Sequence, residues 1–225
     1  GLDITQSVNA GAGEVFLTAD TMNIAAAVTG NGNITIVPFT AATNISIADP
    51  GQVGDLNLSA AEMSNLASTA CVLIGDASSG TITTGTLDLS GESFDLFLRG
   101  TTGSIGALTT AATKALTLQF TGAVSQTGLI DADQLRLIDG GFNLSTHNNV
   151  LGIISINTLG NADIFSTSPL TLGNVVDSCG SSGPNQAGVL NLKAADLTIG
   201  TAVSVASAVL SADAIAVNAA VTSLG

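Results

Sequence analysis

Ser59, Ala60, Ala61 and Glu62 form a Ser-x-x-Glu box, with Leu66 one turn beyond it. Two chemistries fit a hydroxyl and a carboxylate at that spacing. In a capping box, Ser59 accepts from the amide of Glu62 while the carboxylate reaches back to the Ser59 amide, starting a short helix. In a nucleophilic pair, the serine needs a base held in turn by a third group. His147 is the chain's single histidine, and it lies far along the sequence in "STHNNV", which reads as a loop. The box is therefore read as a structural cap, with Leu66 and Met63 lying against the end of a neighbouring coil.

The remaining carboxylates suggest two further roles. Asp131 with Asp133, or Asp49 with Asp55, are the pairs nearest to the two acids that flank a scissile glycosidic bond. Cleavage of an acidic glycan also requires cations to neutralise substrate charge, and only Arg99, Lys114, Arg136 and Lys193 are basic. Asp20, Asp133, Asp196 and Asp213 recur in a common form, strand then Asp then strand, as in "FLTADTMNIAAAV" and "VLSADAIAVNAAV". An aspartate at a corner bonds the backbone two residues on and turns the chain without glycine. Their unequal spacing and the absence of Gly-Gly-x-Gly-x-Asp speak against a calcium array.

Cys71 and Cys179 are either two free or buried thiols or a disulfide tying the loop "DSCGSSGPNQAG" to the body, as an oxidising compartment would favour. Two cysteines and one histidine do not give metal-ligand spacing, and "GNGN" and "NAGAG" lack the context of a nucleotide-binding loop. No catalytic, cofactor-binding or metal-binding residue is assigned, and no cofactor is expected. The acceptor-like triplets at Asn33, Asn44, Asn57 and Asn143 are what an alternating strand looks like after an Asn turn. The run "TITTGT" would make a flat ice-binding face only if Thr-x-Thr repeated on successive coils, and the sequence shows it once.

The elements that position these residues are short. Runs such as "VFLTA", "NITIV", "LDLSG", "LTLQF", "IISIN" and "LNLKA" alternate apolar and polar residues between Gly, Asn, Asp or Ser, the pattern of β-strands with one buried face. Only the stretch around residues 59–66 departs from it in helical phase. Hydrophobic residues make up 45% and aromatics 3%, with no Trp or Tyr, so small stacked side chains must fill the core. That favours a parallel β-helix over a sandwich. At roughly 20 residues per coil, near the lower end of solenoid repeats, the chain makes about nine to eleven coils in a single domain over 1–225. The net charge of −13 opposes binding to nucleic acid, and every apolar run is too short to insert into a membrane.

The stretch from Ile34 to Gly91, "ITIVPFTAATNISIADPGQVGDLNLSAAEMSNLASTACVLIGDASSGTITTGTLDLSG", resembles a segment that recurs in large bacterial exoproteins of the filamentous-haemagglutinin type. The resemblance rests on the order of an "ITI-P" strand, a strand ending in Asp, "LNLS-AE---L", "IGD---G-I" and "LDLSG", while the flanks match only in style. It implies a right-handed parallel β-helix, secreted or on the cell surface, serving as a shaft and carrying no catalytic residues. The cysteine-bearing loop departs from that family's pattern. The loop is the expected protruding contact for a host or cell-surface receptor. Strand pattern at both ends raises a second expectation, a segment of a longer chain or a subunit stacking end to end into an extracellular filament. A polysaccharide-acting enzyme stands third.

Overall fold

Alternation along each strand becomes stacking across strands. The structure, a computed structural model, describes residues 1–49, 51, 55–175, 177–180 and 185–223. Leu17, Ile36, Ile74, Leu98, Leu118 and Leu137 stand directly above one another in register. Val15, Ile34, Val72, Leu96, Leu116 and Leu135 form the neighbouring ladder. All twelve side chains are buried. Successive residues of a strand point to opposite faces, so the intervening positions face outward.

The result is a parallel β-solenoid of about eleven turns. Nineteen strands join in one hydrogen-bonded sheet. A coil advances 20 residues where Asn23 donates to Asp3 and again where the Ala115 amide donates to Asp95. It lengthens to 28 residues between Asp163 and Asn191 and shortens to 18 between Ser204 and Thr222. Some corners interrupt the sheet and others do not: Ile130–Asn157 is continuous over 28 residues. His147 therefore lies within a strand run rather than a loop, its Nδ1 3.0 Å from Thr146 Oγ1.

The core compensates for uneven side chains. Phe120 and Phe142 are the largest fully buried side chains. Gly103 occupies an inward position between Ile82 and Val124. A Cβ there would lie 3.1 Å from the tip of the Phe120 ring, so the missing side chain makes room for the aromatic one.

The helix α1 covers Ala60–Met63 only. It is the short helical insertion expected near residues 59–66, with Ser59 as its N-cap and Ser64 as its C-cap. Asn65 donates its side chain to the Ile24 carbonyl, and Leu66 takes a ladder position beside Val28. Asn65 is still in the turn, its amide donating to the Glu62 carbonyl, and the chain is extended again from Leu66, so helical phase ends one turn after it starts.

Candidate functional site

Three groups of polar residues carry the non-repetitive chemistry: the α1 turn, the aspartates, and a segment laid over the outer face of the sheet.

At the α1 turn, Ser59 Oγ accepts from the Glu62 amide at 3.2 Å, and Glu62 Oε2 accepts from the Ser59 amide at 2.8 Å. The other carboxylate oxygen, Oε1, accepts from the amide of Ile24 at 2.9 Å. Asn65 Nδ2 meets the carbonyl of that same residue at 2.7 Å. Ile24 is fully buried, and on its other side Ile4 continues the sheet. The side chains of Glu62 and Asn65 therefore do for Ile24 what a strand in the next coil would do. They let a helical turn stand in the stack without orphaning a buried peptide group.

The aspartates act mostly between coils. Asp20 accepts from both the amide and the hydroxyl of Thr40, 20 residues on, each at 2.7 Å. Asp133 accepts from the Thr113 amide at 3.0 Å, 20 residues back. No side-chain hydrogen bond is seen for Asp196 or Asp213 among the described residues; Asp196 starts a strand in register with Ala214, and the Asp213 amide donates to the Ala195 carbonyl. The corner role expected of these four falls instead to Asn9, Asp76 and Asp88, which accept from the amides of Gly11, Ser78 and Ser90 two residues on. The amide and hydroxyl of Thr40 hold the Asp20 carboxyl below the usual aspartate range. The Ser90 amide and hydroxyl do the same for Asp88. For Asp76, burial pushes upward, but hydrogen bonds from Ser78 and Ser79 outweigh it and the net shift is down. Burial alone raises the Glu92 carboxyl.

The third group starts with the outward row Leu73, Phe97, Thr117 and Arg136, which runs up successive coils. Outward positions should meet solvent, yet Phe97, Thr117 and Arg136 are 7%, 0% and 2% exposed. The segment after Leu172 covers this region. Thr117 Oγ1 donates to Asp177 Oδ2, the Ser178 amide donates to Asp95 Oδ2 at 2.6 Å, and Arg136 Nη1 lies 3.8 Å from Asp177 Oδ2. Cys179 is joined to Cys71 in a disulfide with the Cα atoms 5.2 Å apart. The start of the loop expected to protrude is thus tied to the sheet: Asp177 is buried, while Ser178 and Gly180 are exposed. Residues 181–184 of that loop lie outside the described residues.

Beneath this segment the coil closes on its own. Asn185, 2% exposed, accepts from the Ile156 amide at 2.8 Å and donates to the Gly173 carbonyl at 3.2 Å and to Thr201 Oγ1 at 2.6 Å. Asn149, fully buried, plays the same part at another irregular corner, bonding the backbone of Leu144, Phe165 and Ile130. Sequence reasoning passed over Asn149, Asn185, Asp95, Asp177 and the burial of Arg136. For Asn149 and Asn185 the one available signal was a polar residue falling at an inward phase of the alternation; for Asp95, Asp177 and Arg136 the alternation gave none.

Shallow grooves follow the corners. One of 740 Å³ is lined by Asp49, Thr83, Thr84, Gly85, Ser104 and Thr127 among others. Another, of 450 Å³, runs past Asp163, Phe165, Asn191 and Lys193, where the Lys193 ammonium sits 5.0 Å from the Phe165 ring centre. Each holds a single carboxylate, whereas glycoside hydrolysis uses two across the scissile bond. Asp49 is engaged by the Gly51 amide and Asp133 by Thr113. Thr81 and Thr102 do meet on successive coils, hydroxyl to hydroxyl at 2.8 Å, but the neighbouring row passes from Thr83 to Ser104, Ser125 and Asn143. No group of three or more metal-ligating side chains occurs among the described residues. No helix among them is long and apolar enough to cross a membrane.

No family model, curated protein or solved structure matches the chain.

Proposed function

We propose that the chain is a rigid, non-catalytic shaft of a secreted or cell-surface bacterial exoprotein of the filamentous-haemagglutinin kind. The observation that carries this reading is the unbroken six-rung pair of ladders from Val15 and Leu17 to Leu135 and Leu137. A stack that bonds each coil to the next through its backbone resists bending, and at ~4.8 Å per coil its length grows in proportion to coil number. The Cys71–Cys179 bridge suits an oxidising environment. The test is electron microscopy with limited proteolysis of the purified 225-residue chain. Straight monomeric rods of roughly 50 Å, about eleven coils at the sheet spacing, that resist protease support the shaft. Flexible or rapidly digested particles sink it.

A specific observation favours a second reading, end-to-end assembly. Ile215 and Val217 continue the inward ladders of Leu197 and Ile199, and Val221 continues that of Val203. They are nevertheless 45%, 58% and 43% exposed. A coil with open ladder groups and apolar inward positions templates pairing with a further strand, which more coils of a longer chain or a second copy would each supply. Fibres that form with rising protein concentration, and that Val217→Asp abolishes, support assembly; persistent monomers oppose it.

A further inference from the structure

We propose that the Cys71–Cys179 disulfide is a redox latch. Its reduction by a thiol releases residues 177–180 from the outer face of the solenoid and uncovers Arg136, Thr117 and Phe97. The inference does not depend on whether the chain serves as a shaft or as a filament subunit.

The two sulfurs are unequally accessible. Cys71 is fully buried, while Cys179 is half-buried between exposed Ser178 and Gly180. An incoming thiolate attacks Sγ of Cys179, a mixed disulfide forms there, and the Cys71 thiolate leaves and takes up a proton. A second external thiolate attacks the sulfur of the attached thiol. It departs as part of a small disulfide, and Cys179 is released as its thiolate and protonated. In balance, two external thiols are oxidised to one disulfide, and the protein gains two electrons and two protons.

Without the bridge the segment is poorly held. Its two polar attachments to the sheet are the Thr117 to Asp177 and Ser178 to Asp95 hydrogen bonds. Against these stands the guanidinium of Arg136. It is 2% exposed, its Nε and Nη1 have no hydrogen-bond partner, and the nearest charge is the Asp177 carboxylate at 3.8 Å. A buried cation with unfilled donors is unfavourable, because the lost hydration is not replaced by matched acceptors. The closed segment keeps Arg136 in that state, and the covalent bond offsets it. Opening returns the guanidinium to water.

The solenoid itself does not need the segment. Asn185 closes the coil at the point where the chain leaves and re-enters it, bonding Ile156, Gly173 and Thr201. Cys71–Ile74 remains paired with strands on both sides whatever happens to its sulfur. Reduction is therefore a local opening on an intact stack. It exposes a cation and an aromatic ring in one outward row of a chain whose net charge is −13.

The experiment labels the full chain with an arginine-selective dicarbonyl, before and after reduction with a phosphine, and reads each arginine by mass spectrometry. Hydrogen exchange is followed in parallel on Leu96–Leu98 and Leu116–Leu118. The expected result is at least a tenfold rise in labelling of Arg136 on reduction, with unchanged protection of the ladder amides. A Cys71→Ser/Cys179→Ser variant should label as the reduced chain does, without reductant. Brief exposure to glutathione followed by acid quench should leave the adduct on Cys179. If Arg136 stays protected in the reduced chain or in the double variant, the segment is held without the bridge and the proposal falls. It falls equally if the ladder amides lose protection, since the disulfide would then be a staple for the whole fold.

Discussion

Glu62 serves two coils with one carboxylate, and the consequence is measurable residue by residue. Ser59→Ala removes only the cap and should cost about 1 kcal/mol. Glu62→Ala also strands the buried amide of Ile24, and an unsatisfied buried donor costs roughly 1–3 kcal/mol more. Urea unfolding should therefore rank Glu62→Ala clearly below Ser59→Ala, and equal midpoints would refute the bridging role. The cap was legible in the sequence because it spans four residues. The bond to Ile24 was not, since it depends on which coil stacks on which. The aspartates teach the same lesson, Asp20 answering to Thr40 in the next coil rather than to its own corner. Titration separates two of these acids by sign. The Asp20 carboxyl is lowered in the folded state, so its contribution is present above the ordinary value of 3.8 and is lost as pH falls through the lowered one. Glu92 is raised, so the folded state binds its proton more tightly, and that advantage is lost as pH rises above the ordinary 4.5 and through the raised value. Glu92→Gln should melt with the parent chain below pH 4.5 and above the parent's temperature at pH 7, whereas Asp20→Asn should flatten only the acid limb.

At the scale of the elements, inward positions carry the stability and the corners set the geometry. Phe120→Ala removes the largest kind of side chain this core holds and should cost roughly 3–5 kcal/mol, less if Gly103 and its neighbours collapse into the space. Gly75 is a different case. Its φ is +82°, and a Cβ would stand 2.2 Å from the Arg99 carbonyl oxygen of the adjoining coil. Gly75→Ala should therefore lower the melting temperature by several degrees, whereas Gly91→Ala, with open space around it, should change it little. The strands were legible because a period of two needs only four or five residues to declare itself, and "LDL", "LTL" and "ISI" do so plainly. Coil boundaries were harder. Turns of 18, 20 and 28 residues share one stack, and the segment between Leu172 and Asn185 breaks the repeat without breaking that stack. Its polar composition read as a protrusion. Nothing local in "DSC" says that its aspartate will lie against an arginine of another coil, Arg136.

For the whole molecule, the parallel stack makes stability a local quantity. Through its backbone ladders each coil is bonded to the ones above and below, and the farther ties run through the segment that carries Cys179, so protection should follow position along the axis rather than residue type. Cys71–Ile74 has partner strands on both sides, Ile34–Val37 and Asp95–Gly100. Ala214–Val217 has one, Asp196–Ile199, and its inward Ile215 and Val217 are exposed. In the 225-residue chain, amide exchange should therefore be fastest at 214–223 and slowest between about residues 70 and 140, although both regions are equally rich in Val, Ile and Leu ladders. Comparing dilute with concentrated protein turns this gradient into a test between the two proposed functions. A shaft that stays monomeric keeps the same gradient at every concentration. A subunit that stacks gains protection at 214–223 as concentration rises, because a second chain supplies the missing rung, and Val217→Asp should erase that gain while leaving the interior coils untouched. Uniform exchange from one end to the other would contradict coil-by-coil stability itself.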